Sequence, residues 1–227
     1  MIQASNPDSS ARRLIVFTRC PEIGRCKTRL ISAFGERKAT LIHELLVRRT
    51  MSWMKCAIDK GVTVEVRYAG DDLASLKLLC GEVADRLCFR PQQQGDLGQR
   101  LSHASSSAFQ EGALQVAIIG TDCPYLTHHF ILKAFEALGD ADLVLGPATD
   151  GGYYLIASAK YYADLFTDIV WSGEKVLDDT LHKASRLELT VELLECLTDV
   201  DHPKDVNSLL REISLPPESR ILSAKKA

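Results

Sequence analysis

Short apolar runs alternate with longer amphipathic stretches along almost the whole chain. Val116–Ile119 is apolar over consecutive positions and β-branched, the pattern of a strand buried on both faces of a parallel sheet, and Arg13–Thr18, apolar and β-branched within, predicts a first strand. Val62–Tyr68 alternates, which predicts a strand with two unlike faces. Leu87–Phe89, Leu143–Leu145, Tyr153–Ala157 and Leu189–Leu194 predict further strands. The helical period predicts a helix from about Thr28 and one long helix over Glu36–Lys60, ended by Gly61. It also predicts helices over Leu73–Leu79 behind the Gly70-Asp71-Asp72 turn, over Gln99–Glu111, and from a Thr127 cap to Leu138. A Ser172 cap opens a further helix over Gly173–Lys183, and Pro203–Ile213 places a proline in a last first turn. Strands alternating with helices imply a mostly parallel, three-layer α/β/α sandwich. No repeat or low-complexity linker divides it. The expected organisation is a flexible tail at 1–11, a single domain at 12–214 and a C-terminal tail at 215–227.

Composition narrows the class of partner. Of 227 residues, 46% are apolar and 25% charged, the balance of a globular protein and not a disordered one. A net charge of −3 offers no overall attraction to nucleic acid or to a membrane surface. No apolar run approaches the roughly 20 residues of a membrane span. The polar start, Met1–Ser10, has no signal-peptide core, so the expected location is cytoplasmic. Seven scattered cysteines without a Cys-x-x-Cys pair read as reduced thiols, and His128-His129 reads as a surface pair and not a zinc site.

Chemistry is expected where strands end. Gly120-Thr121-Asp122-Cys123-Pro124 follows the Val116–Ile119 run, so Asp122 stands at the carboxyl edge of a central strand, where open α/β sheets bind ligands. A strand-end carboxylate suits Mg²⁺ or Mn²⁺ held against a nucleotide diphosphate; the structural alternative is a turn or cap carboxylate. The first loop, Arg19 to Leu30, crowds Arg19, Arg25, Lys27 and Arg29 around Gly24, a composition suited to phosphate oxygens; the structural alternative is a solvated basic loop. It is not a Walker A loop, because Cys26 and not glycine precedes Lys27. In Gln94–Arg100, Gly95 and Gly98 would admit a ribose or base, or Asp96 would simply cap the next helix. Asp150-Gly151-Gly152-Tyr153 is either a hairpin turn or a surface for a sugar or acceptor. Asp199-Val200-Asp201-His202-Pro203 is either the cap of the last helix or the source of a second metal ligand, a carboxylate opposite Asp122.

In this order, RCPEIGRCKTRL behind the first strand, QQGDLGQRL, VAIIGTDCPYLT, LGPATDGGYYL, WSGEKVL and LTDVDHPKDV resemble the bacterial family of GT-A-type nucleotide-diphospho-sugar transferase-like proteins. That family includes members assigned to arsenosugar biosynthesis as glycosyltransferases. The resemblance spans about Leu14 to Leu210, and is more distantly similar to phospholactate and molybdopterin guanylyltransferases. It implies a GT-A fold, Asp122 as the metal-binding acid and Asp201 as the second ligand of Mg²⁺ or Mn²⁺. It places the 19–29 loop on the phosphates and Asp150-Gly151-Gly152 toward the acceptor. Two departures stand out: Arg19 replaces the family's usual lysine, and Gly24 is alone where nucleotidyltransferases carry Gly-x-Gly-Thr-Arg.

The expected function is therefore metal-dependent glycosyl transfer from a nucleotide-diphospho sugar to a small-molecule acceptor. Lys27 and Arg29 would lie on the leaving diphosphate, with Asp150 as the base. The alternatives are a nucleotidyltransferase releasing pyrophosphate from an NTP, and a nucleotide-binding protein without catalysis.

Overall fold

A computed structural model gives the architecture, and it describes residues 11–171 and 173–206. Among the described residues, seven strands form one sheet: β1 (Arg12–Arg19), β2 (Val62–Ala69), β3 (Cys88–Pro91), β4 (Gln115–Ile119), β5 (Leu143–Pro147), β6 (Tyr153–Ser158) and β7 (Val191–Leu193). Their order is β3-β2-β1-β4-β6-β5-β7. Only β6 runs antiparallel to its neighbours, β4 and β5. Leu14, Ile15 and Val16 on β1, and Ala117 with Ile119 on β4, are almost wholly buried. The apolar runs thus occupy the middle of the sheet, as their lack of alternation requires.

The helices are α1 (Thr28–Phe34), α2 (Glu36–Met51), α3 (Met54–Asp59), α4 (Leu73–Cys80), α5 (Leu97–Gln110), α6 (His128–Ala137) and α7 (Val176–Arg186). One core layer joins Val47, Met51, Met54, Leu76, Ile131 and Phe135 of α2, α3, α4 and α6 to one sheet face. The other joins Leu101, Ala104 and Ala108 of α5 and Ala184 of α7 to the opposite face. A third, smaller cluster packs Leu30, Ala39 and Leu46 against Val200 and Val206, which brings the chain around residue 200 against α1 and α2.

Several elements differ from the sequence expectation. The single helix over Glu36–Lys60 is two, broken at Ser52-Trp53. Thr50, Met51, Trp53 and Met54 are all buried, so the chain stays against the core on both sides of the break. The hydroxyl of Ser52 donates to the Arg49 carbonyl at 2.7 Å, closing the end of α2. Helix α5 begins at Leu97, two residues early, because Asp96 and Gln99 form a reciprocal capping box. The last strand shrinks to Val191–Leu193 at the sheet edge. A turn of helix opens at Pro203 and reaches Val206; its expected continuation to Ile213, the Ser172 cap, and nearly all of both tails lie outside the described residues.

The chain leaves β1 to build β2 and β3 on one side and returns to β4 on the other. The carboxyl ends of β1 and β4 therefore flank the switch point of the sheet, where a crevice forms. Thr18 and Thr121 meet there, their hydroxyl oxygens 3.3 Å apart.

Candidate active site

The basic loop starts where β1 ends and is tied at several points. His43, buried on α2, bonds the Arg19 carbonyl through Nε2 at 3.0 Å. Burial lowers the His43 pKa, so the ring is neutral near pH 7. The amide of Asp71 donates to Glu22 at 2.7 Å, latching the loop to the turn after β2. Gly24 takes φ 79° and faces the Glu36 carboxylate, while Arg19 projects into solvent. Arg49 Nε reaches the Pro124 carbonyl at 3.1 Å and fixes the second loop, behind β4.

Lys27 is the centre of the site. It precedes α1 in the left-handed region, φ 46° and ψ 49°, a costly conformation for a side chain with a Cβ. Its ammonium bonds Asp122 Oδ1 at 2.8 Å, Asp201 Oδ1 at 2.7 Å and the Val200 carbonyl at 2.7 Å. Arg29 adds a contact to Asp201 Oδ2 at 3.1 Å. The Val200 amide donates to the Asp122 carbonyl at 2.9 Å, so the two carboxylate-bearing segments are also joined through backbone. Asp122 and Asp201, expected together at the site, thus both contact the Lys27 ammonium.

Electrostatics follow from that packing. Burial alone would lower the Lys27 pKa, but Asp122 and Asp201 outweigh it and hold the amine charged. Burial alone would raise the Asp201 pKa, yet Lys27 and Arg29 bring it below the ordinary carboxylate range. Asp199, two residues away, has the opposite fate: burial, then Asp122, Asp150 and Asp201, push it up to about 7. Its Oδ1 is enclosed and has no hydrogen-bond partner. Asp199 and His43 are contributors that the sequence reading did not single out; the Asp-x-Asp spacing of Asp199 and Asp201 was the available signal for the first.

Other expected residues are placed differently. Asp150 is exposed, accepts the Gly152 amide at 3.0 Å, and lies close enough to act on Asp199. Its turn joins β5 to β6 as a hairpin. A side chain on Gly151, φ 88°, would collide with the Glu174 backbone, so this glycine seats the loop before α7. Tyr153 turns into the second core layer, packed edge-on to Trp171 with ring centroids 6.4 Å apart, and its hydroxyl is buried. It does not present that hydroxyl to an acceptor, because the alternation of β6 sends its side chain inward. The Asp96 carboxylate accepts the Gln99 amide at 2.8 Å as a helix cap. Gly98 is buried, and the space a Cβ would need is filled by Trp171 and the Phe166 carbonyl; the close approach it permits is to protein and not to a ribose.

A family model described as uncharacterized protein conserved in bacteria, DUF2064, matches residues 50–173, more than half of the chain. The chain belongs to DUF2064. No curated protein matches this DUF2064 member. A solved structure from Desulfovibrio desulfuricans G20, described as a candidate nucleotide-diphospho-sugar transferase, is 32% identical, with 93% of this chain and 91% of that one covered and a TM-score of 0.79. The 4-diphosphocytidyl-2C-methyl-D-erythritol synthase of Anaerococcus prevotii is 10% identical, covering 88% and 99%, with a TM-score of 0.58. Rv0371c of Mycobacterium tuberculosis, in complex with manganese, is 13% identical, covering 90% and 100%, with a TM-score of 0.54. The last two share the fold, and the sheet of this DUF2064 protein is that of the nucleotide-diphospho-sugar transferases.

The donors present suit a hard cation. Asp122 and Asp201 offer carboxylate oxygens that already converge on one positive charge, and the Asp122 side chain is 44% exposed and open to solvent. Asp199 holds an enclosed oxygen without a partner beside them. Among the described residues no three His, Cys, Asp or Glu groups stand in metal-holding geometry.

Proposed function

We propose that this protein transfers a glycosyl group from a nucleotide-diphospho sugar to the hydroxyl of a small acceptor, using Mg²⁺ or Mn²⁺ held by Asp122 and Asp201. The observation that carries this reading is the convergence of Asp122, at the switch point, and Asp201, from the segment after β7, on Lys27 of the basic loop. The 32% identical relative described as a candidate nucleotide-diphospho-sugar transferase supports it, as does a manganese complex among proteins of the same fold.

The bound cation supplies positive charge to the leaving diphosphate. Lys27 and Arg29 hold the same diphosphate by charge-assisted hydrogen bonds. Asp150, whose Oδ1 accepts the Gly152 amide, is the proposed base: it takes the hydroxyl proton as the acceptor oxygen attacks the anomeric carbon. The carbon–oxygen bond to the diphosphate breaks, and its electron pair leaves with the nucleoside diphosphate. The thiol of Cys123 takes no part: burial, then Asp199, keeps it protonated.

Product analysis tests this reading. With Mn²⁺, the protein is expected to hydrolyse or transfer sugar from at least one of UDP-, GDP-, CDP- and ADP-sugars, releasing the nucleoside diphosphate. Release of pyrophosphate from an NTP would replace glycosyl transfer with nucleotidyl transfer. Binding of nucleotide with no product from either class would leave a nucleotide-binding protein.

A further inference from the structure

Lys27 stands where the proposed cation would neutralise Asp122 and Asp201. All three protons of its ammonium are engaged, on Asp122, Asp201 and the Val200 carbonyl, and its side chain is only 6% exposed. Both carboxylates lie one hydrogen-bond length from the same nitrogen, so an ion of 2.0–2.1 Å coordination distance that takes both must displace that nitrogen. The stem of a lysine is long and rotatable, which allows the displaced ammonium to seek another anion.

We infer that Lys27 is an exchangeable internal counter-ion: it occupies the metal position in the nucleotide-free protein and moves onto the diphosphate when the divalent cation arrives. This rests on the reading above that Asp122 and Asp201 hold the cation. The consequence is a linkage. Metal binding alone must break the Lys27 bridge without compensation, so it is weak. Metal binding with a diphosphate offers the freed ammonium new oxygens, so each ligand strengthens the other by the same factor. The site then loads cation and diphosphate together and not the cation first.

Calorimetric titration of Mn²⁺ into nucleotide-free protein tests this directly, using the parent, Lys27→Met, Lys27→Gln and Lys27→Arg. The two neutral variants are expected to bind Mn²⁺ at least tenfold tighter than the parent, while Lys27→Arg stays as weak as the parent. In the presence of inorganic pyrophosphate the Mn²⁺ affinity of the parent is expected to rise by a larger factor than that of Lys27→Met. Thermal unfolding with and without Mn²⁺ shows which variants are folded and reads the same preference, with the larger Mn²⁺-induced rise in the neutral variants. If the parent binds Mn²⁺ with pyrophosphate but the neutral variants bind Mn²⁺ alone no tighter than the parent, the exchange is overturned and the metal reading stands. If no protein binds Mn²⁺ with or without pyrophosphate, both are overturned.

Discussion

Gly98→Ala sets two effects of opposite sign against each other. Gly98 lies in the first turn of α5, where alanine is favoured over glycine by about 1 kcal/mol on backbone grounds. Its missing Cβ, however, faces Trp171 and the Phe166 carbonyl, and a methyl there would sit 2.9 Å from Trp171 Cε2 and closer still to the indole nitrogen. An indole can shift, but a backbone carbonyl at the end of a 3-10 turn cannot rotate away without moving Ala163–Phe166. Overpacking of this kind costs about 1–3 kcal/mol, with the rigid carbonyl favouring the upper half, so the net change is a loss of about 1–2 kcal/mol. In a chain of this length that lowers the melting temperature by roughly 2–8 °C. Urea unfolding of parent and variant without any ligand measures it. Adding Trp171→Ala should give a double variant less destabilised than the two single changes together, because removing the indole relieves one of the two collisions. An alanine variant as stable as the parent, or more so, would refute the packing role assigned to Gly98 and return it to ligand contact.

The charge cluster behind β2 gives a second prediction. Glu65 and Arg67 are buried on the sheet, where Glu65 pairs with Arg67 and also meets Arg13 at 3.7 Å and Arg90 at 3.6 Å. Glu65→Gln leaves Arg67 charged and enclosed, and should cost about 3–5 kcal/mol in urea unfolding; a loss below 1 kcal/mol would contradict it. His43 gives a pH prediction. Because its folded pKa lies below the ordinary histidine value, the unfolded chain binds the proton first, so stability falls as pH drops through and below that ordinary value. Melting temperatures between pH 8 and 5 should show a steeper fall for the parent than for His43→Gln, and parallel curves would contradict the assignment.

What the sequence made legible was local. The apolar runs around Leu14–Val16 and Val116–Ile119 announced central strands because burial on both faces leaves no polar alternation to hide them. Asp122 was legible for the same reason, as the first carboxylate beyond such a run. The hairpin at Asp150-Gly151-Gly152 follows from turn chemistry and accounts for the one antiparallel strand. What escaped was decided by distant partners. Gly98 is small because of Trp171, far along the chain, and no local pattern separates that from room for a ligand. Tyr153 and Tyr154 are adjacent and similar, yet the pleat sends one to each core layer. Lys27 and Asp201 are separated by most of the molecule in sequence, and the cluster of Leu30, Ala39 and Leu46 with Val200 and Val206 helps bring them together. Asp199 was hidden because a carboxyl group is read as exposed until its surroundings are known.

The central claim is that Asp122 holds one side of a metal–diphosphate site. The direct measurement is calorimetric titration of GDP, UDP, CDP and ADP in the presence of Mn²⁺ into parent and Asp122→Ala protein. Mn²⁺-dependent binding of at least one of the four by the parent, weakened at least tenfold in Asp122→Ala, is the predicted result. Equal affinity of Asp122→Ala and parent for the nucleotide–Mn²⁺ pair would contradict it.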